Sequence, residues 1–416
     1  MRFSTLFFVL LIVSCGSRKV LKSVNSSEKN SHHFTGLAVF DPATGKTLFQ
    51  HNANKYFTPA SNIKVLTLYT AMSLLGDSLP AFSYAQGNDT LWIKALGSPT
   101  PFHPKFPHDK AADLLRSVPQ KTITINAPFK DAAYAPGWAW GDYPYYYMPE
   151  RSAFPIFGNT VTAYRIGDSL VIQPSFMKKF FSSEKLAAER AFHANTFASD
   201  AVTTDTLQIP FISSDSLLAK ILSDELKKVV ITNKAMPPLP QKTFFSIPSE
   251  DVYTEMMHNS DNFLAEQLLA MCSAQFSDSL SVSEAIKHTQ NTLFKDMPQP
   301  PRWVDGSGLS RYNLVTPNSM VWVLAKLQQT VPEEKLFRVF PTGGASGTLK
   351  TMFTGKEPFV YAKTGTLSNN YCLSGYIKTK KGKTLIFSFM ANHYRIPVPE
   401  IKKEIEVLLT QLHQRY

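Results

Sequence analysis

Cysteine is nearly absent: the 416 residues contain three, Cys15, Cys272 and Cys372. So few, without metal-ligand spacing, exclude a disulfide framework and a zinc cluster, and nothing else in the sequence implies a metal or other cofactor. Cys272 ends the apolar run from Phe263 and Cys372 lies in a strand-like run, so both read as buried thiols rather than as a bridge. The apolar stretch Leu6 to Val13 is too short for a permanent membrane span. A basic helix is missing too. The formal charge of +11 comes from scattered lysines, which argues against nucleic acid and for an anionic wall or membrane surface as partner.

What is present begins with Arg2 and that apolar stretch, which together read as a signal peptide over residues 1–15. Its end, Ile12-Val13-Ser14-Cys15-Gly16, resembles a bacterial lipobox, which would make Cys15 a lipidated first residue held to the membrane. An ordinary cleaved signal with a chance cysteine is the competing reading. Residues 16–33, rich in Ser, Asn and Lys, then serve as a flexible tether. The remaining chain exceeds what one core usually organises, so two domains, or one with a large insertion, are expected.

Phe34 to Phe40 and Thr47 to His51, separated by Asp41-Pro42-Ala43-Thr44-Gly45-Lys46, predict a hairpin. Thr58-Pro59-Ala60-Ser61 then opens a helical run with Val65, Leu66, Leu68, Tyr69, Met72 and Leu75, closed by Gly76. Ser61 is placed at a helix N-terminus with Lys64 one turn on, within reach of its hydroxyl. A serine needs a base to take its proton, and a lysine serves only when its surroundings lower its pKa. A polar loop, His258-Asn259-Ser260-Asp261-Asn262, interrupts two apolar helices, and Phe359 to Ala362 read as a strand running into Lys363-Thr364-Gly365-Thr366. Glycine there admits close approach of a substrate backbone. His258 reads as a loop brace, since a serine–lysine pair needs no imidazole.

These three elements in this order resemble the penicilloyl-serine transferase superfamily, whose signature is S-x-x-K, S-D-N and K-T-G. Nearly two hundred residues part Lys64 from Ser260. Within and beyond them, Leu91 to Thr100, Ala135 to Tyr143, Asp305-Gly306-Ser307-Gly308-Leu309-Ser310-Arg311 and Gly347-Thr348-Leu349 are similar to the D-alanyl-D-alanine carboxypeptidase/endopeptidase family, the low-molecular-mass class C penicillin-binding proteins. The resemblance implies an α+β fold: a transpeptidase/β-lactamase-like domain, an antiparallel sheet flanked by helices, from residues 34–76 and 236–416, with an inserted domain at 77–235. Short β-like runs make that insertion mainly β. Independently, Leu373 to Thr379 and Thr384 to Ala391 read as a hairpin, and a terminal helix carries Ile401, Ile405, Leu408, Leu409 and Leu412 on one face.

The resemblance further implies that Ser61 is acylated by the stem-peptide carbonyl with Lys64 as base, and that Ser260 passes a proton to the leaving amine. It implies that Asn262 orients Lys64 and substrate, that Lys363 and Thr364 hold the terminal carboxylate beside Gly365, and that the N–H groups of Ser61 and Thr366 form the oxyanion hole. Asp142, Tyr147, Arg311 and Ser368 align with positions that contact the zwitterionic end of the third stem residue, although Ser368 stands where a longer amide is expected. Peptidoglycan stem peptides are then the substrate and β-lactams the acylating inhibitors. A serine β-lactamase is the first rival, disfavoured because no E-x-x-L-N stretch lies between S-D-N and K-T-G. A non-catalytic wall-binding scaffold is the second.

Overall fold

The computed structural model describes Glu28 and residues 32–416. The signal segment 1–15 with Cys15, and the tether apart from Glu28, His32 and His33, lie outside the described residues. Among the described residues, no helix is long and apolar enough to cross a membrane. The chain divides into two compact units. The first holds the described residues up to Tyr69, Tyr253–Ser260 and Gln290–Tyr416; the second holds Thr70–Val252 and Asp261–Thr289.

The first unit is built on a five-stranded antiparallel sheet in the order Val360–Leu367, Asn370–Lys378, Thr384–Asn392, Phe34–Asp41, Lys46–His51. Its central strands are apolar on both faces, as in Leu385-Ile386-Phe387, because both are covered. Leu373, Ile377, Leu385 and Phe387 share a core with Ile401, Ile405 and Leu409 of the terminal helix Val398–Arg415. On the opposite face, by strand alternation, Tyr376 donates its hydroxyl to the Leu324 carbonyl of the helix Pro317–Thr330. Both hairpins and the terminal helix stand where the alternation and the 3.6-residue period put them.

In the second unit a five-stranded sheet runs Val229–Thr232, Thr122–Asn126, Thr90–Ala95, Ser78–Gln86, Lys242–Pro248. The first three strands pair in parallel and the rest antiparallel. Parallel neighbours need crossovers, and the helices Lys110–Ser117 and Asp215–Leu226 supply them. Leu91, Ile93, Ile123 and Ile125 point inward to meet Leu115, Ile221 and Leu222 from those helices. The second unit is therefore rich in strands, with two helices that the sequence reading did not give. Each helix starts at a side-chain cap: Asp109 accepts from the Ala111 N–H and Ser214 from the Leu217 N–H. A third capped helix, Asn262–Ser273, is buried along almost its whole length.

Candidate active site

Ser61 lies in a single 3-10 turn, Ala60–Ile63, and the α-helix proper starts at Lys64. The turn is held tightly. Ala60 adopts a left-handed φ of 48°, a conformation costing an alanine about 1–3 kcal/mol, and two glycine-bearing segments pass close enough to fix it. A Cβ on Gly308 would fall 2.0 Å from the Ala60 carbonyl oxygen, and one on Gly365 would fall 2.5 Å from that of Pro59 and 3.0 Å from the Ser61 nitrogen. Only glycine allows those approaches. Asn62 donates its amide to the Lys363 carbonyl at 2.9 Å, tying the nucleophile turn to the Lys363-Thr364-Gly365 strand.

Around this turn stand two amines, both fully buried. Lys64 Nζ donates to Ser61 Oγ at 3.1 Å and to the Ser307 carbonyl at 2.6 Å. Lys363 Nζ donates to Ser260 Oγ at 2.8 Å and to the Thr364 carbonyl at 2.9 Å. Burial first, and the charge of Lys64 second, hold the Lys363 pKa well below the usual lysine range. Ser260 is presented from a left-handed φ of 54°, while Thr364 donates its hydroxyl to that of Thr348 at 2.7 Å. Thr366 follows, exposed, on the same strand. The arrangement puts two hydroxyls each on its own buried amine. One can serve as nucleophile with its base, the other as a proton relay.

Sequence reasoning gave no role to Ser307, Asp305 or Thr348, although it singled out the segments that carry them. The Asp305 carboxylate, fully buried, accepts from the N–H groups of Gly308 and Ser310 at 2.8 and 2.7 Å, from the Asn313 amide at 2.6 Å and from the Ser307 hydroxyl at 3.3 Å. That knot aims the Ser307 carbonyl at Lys64. An aspartate three residues before a glycine is the available signal, for such a side chain folds its own backbone into a turn. His258 Nε2 donates to the Arg338 carbonyl, 3.0 Å away, and sits against Gly347, in keeping with a brace. Cys272 and Cys372 are both buried and free of any disulfide.

Within the first unit Arg311 and Ser368 meet, the guanidinium reaching the Ser368 carbonyl at 3.4 Å. Within the second unit Tyr147 donates its hydroxyl to Asp142 at 3.1 Å, and burial followed by the Asp142 charge pushes the phenol up to about 12. Asn262 opens the Asn262–Ser273 helix and donates to the Tyr147 carbonyl at 2.9 Å, so the last residue of S-D-N is braced by the segment that carries Asp142. Asp261 caps that helix through the Leu264 N–H and pairs with Lys105 at 3.2 Å. Burial opposes its charge, but Lys105, the Leu264 N–H and His103 hold its pKa below the ordinary value. Among the described residues no cluster of His, Cys, Asp and Glu could hold a metal.

The model of the D-Ala-D-Ala carboxypeptidase 3 (S13) family matches residues 18–412. The chain belongs to that family. As an S13 member it is a serine peptidase, a hydrolase. Among curated proteins it is 29% identical over 201 residues to the D-alanyl-D-alanine carboxypeptidase DacB of Haemophilus influenzae, a match spanning 44% of this chain and 41% of that protein. It is 25% identical over 426 residues to the D-alanyl-D-alanine carboxypeptidase of Actinomadura sp. (strain R39), covering 88% of this chain and 79% of the relative. Among solved structures, penicillin binding protein 4 (dacB) of Haemophilus influenzae superposes with a TM-score of 0.73 at 21% identity, over 92% of this chain and 97% of that one. The S13 fold is thus shared: a transpeptidase/β-lactamase-like sheet domain accompanied by a β-rich region.

Proposed function

We propose that this S13 peptidase hydrolyses D-alanyl peptide bonds in peptidoglycan stem peptides through an acyl-enzyme on Ser61. The observation that carries the reading is the 3.1 Å contact of Ser61 Oγ with the buried Lys64 amine, beside a second buried amine on Ser260. Lys64, in its neutral form, takes the Ser61 proton as Oγ attacks the carbonyl of the penultimate D-alanine. The tetrahedral oxyanion rests on the N–H groups of Ser61 and Thr366, contacts worth about 3 kcal/mol of barrier each. Ser260, coupled to Lys363, delivers a proton to the departing amine, and the C–N bond breaks. Water then attacks the ester and frees Ser61. Lys363 and the Thr364 hydroxyl hold the terminal carboxylate beside Gly365, and Asn262 orients the substrate amide.

Carboxypeptidase and endopeptidase cleavage share this acyl step and differ only in the leaving amine. Asp142, with Tyr147, suits an ammonium, and Arg311, near Ser368, a carboxylate, the two charges carried by the zwitterionic end of a third stem residue. β-Lactams, which mimic the D-alanyl terminus, acylate Ser61. We further infer a signal peptide ending at Cys15, a lipid anchor on that cysteine and a periplasmic site of action. On this reading residues 34–76 and 236–416 form the catalytic domain and 77–235 the insertion; the second compact unit starts near the first of these boundaries, at Thr70, but also takes in residues 236–252 and 261–289.

The test is intact mass spectrometry after incubation with benzylpenicillin, beside a Ser61→Ala control. A persistent adduct of one penicilloyl group, absent from the control, is the expected result. No adduct with intact drug sinks the assignment of Ser61; drug consumed without an adduct means a β-lactamase.

A further inference from the structure

The segment Trp138 to Met148 places an unusual amount of aromatic surface in water. Trp140 is 77% exposed, Tyr146 65% and Tyr145 45%, and Phe192, from a different stretch of the second unit, is 43% exposed. These are not stray side chains. Phe192 is packed edge-on by Trp140 at 5.9 Å and by Tyr143 at 4.7 Å, while Tyr147 stacks on Tyr145 and meets Tyr146 edge-on, both at 5.6 Å. The array rests on a buried cation: Arg190 lies under the Tyr143 ring at 5.1 Å, its carbonyl accepts the Tyr143 hydroxyl at 3.0 Å, and its guanidinium donates to the Phe192 carbonyl at 3.4 Å. Rings held rigid from behind and left bare in front form a binding surface whose ordering cost is met before any partner arrives.

We propose that this platform binds the amino-sugar backbone of peptidoglycan, stacking the C–H faces of the sugars on Trp140, Tyr146 and Phe192. The inference rests on the assignment of Asp142 and Tyr147 to the third stem residue. That pair is continuous with the platform, since Tyr147 both donates to Asp142 and stacks on Tyr145. From the third stem residue the peptide has two more residues before it joins the glycan. Fully extended they span about 7 Å, so the sugar comes down one ring beyond the pair, where the exposed aromatics begin. Charge favours a neutral sugar over a lipid surface, because an anionic membrane is read by lysine and arginine, and the only charged residue from Trp138 to Met148 is Asp142.

The experiment compares the full-length protein with a Trp140→Ala/Phe192→Ala double variant and with Trp140→Phe. Each is tested for retention on peptide-free glycan strands, on vesicles of neutral and of anionic lipid, and for acylation by benzylpenicillin. The double variant should lose glycan affinity about tenfold or more, as aromatic hot spots do; Trp140→Phe should keep most of it, and acylation should be unchanged in all. Glycan retention indifferent to these substitutions overturns the proposal, as does aromatic-dependent retention on vesicles in place of glycan. If the parent protein retains glycan through these rings yet is not acylated, the platform stands and the catalytic reading of Ser61 fails.

Discussion

In the first unit two lysines, Lys64 and Lys363, are buried completely, and the charge of one helps depress the pKa of the other. In the second unit Arg151 is also buried, but Glu266 lies 3.4 Å from it with both side chains nearly inaccessible. Arg190 likewise has the Glu150 carboxylate as a partner in charge. A fold that merely has to tolerate a buried cation sets an anion against it, because an unpaired ion out of water is costly. Two cations placed together, each ending on a serine hydroxyl, act on one another and leave at least one amine ready to lose its proton. On the proposed mechanism, like charges buried side by side mark where chemistry is done, whereas opposite charges buried together mark where the structure is held.

Lys64→Met gives the sharpest break between the two. Loss of the base should slow benzylpenicillin acylation by roughly 10²–10⁴-fold. The same change should lower stability by no more than about 1–2 kcal/mol, the cost of leaving the Ser307 carbonyl without a donor. Acylation kinetics and thermal unfolding on one sample read both. A large loss of stability with little loss of rate would place Lys64 among the structural ions. The pH profile adds the sign: the neutral amine is the active form, so acylation should rise with pH. Lys363 is the amine held well below the ordinary lysine value of 10.5, by burial first and by the charge of Lys64 second.

Arg151→Met should behave in the reverse way. Removing the cation beside the buried Glu266 should cost up to about 3–5 kcal/mol, read as a lower denaturation midpoint, while the double variant Arg151→Met/Glu266→Leu recovers most of it. The recovery is the decisive part. A double-mutant cycle with no coupling would mean that the two ions are held by other groups, and the contrast between the units would lose its second half.

The parts of this site legible in the sequence are those fixed by covalent spacing. Ser61 and Lys64 lie one turn apart, so any helical start brings them together, and Lys363, Thr364 and Gly365 travel on one strand. What was not legible is carried by the backbone and by long-range contact. The partner of Lys64 at 2.6 Å is a carbonyl, a group every residue owns, and nothing in Ser307 itself advertises it. Thr348 matters because it meets Thr364 across the fold. The fold shows the same division. Both hairpins follow from alternation and the terminal helix from its apolar stripe, but the helices 110–117 and 215–226 are short crossovers within a strand-rich stretch. Their signal was local and small: Asp109 ahead of Ala111, Ala112 and Leu115, and Ser214 ahead of Leu217, Ile221 and Leu222.

Asp109 also tests the contrast from within the second unit, because it is a buried ion whose shift is not offset by a cation. It is 3% exposed and accepts the Ala111 N–H at 2.8 Å, and burial pushes its pKa up to about 6 from an ordinary 3.8. Between those values the folded state binds more protons than the unfolded one, so stability falls as pH rises from about 4 to 6 and stays lower above that. A shift of this size corresponds to at most about 3 kcal/mol at neutral pH, and part of that is offset by the cap bond. Asparagine caps a helix as well as aspartate does and carries no charge. Asp109→Asn should therefore flatten the pH dependence of unfolding between pH 4 and 6.5, and raise stability at pH 7 by about 1–3 kcal/mol. Denaturant titrations at several pH values check it. Parallel curves for parent and variant would show that the carboxylate is not lifted at all, and that the second unit pairs or solvates every ion it buries.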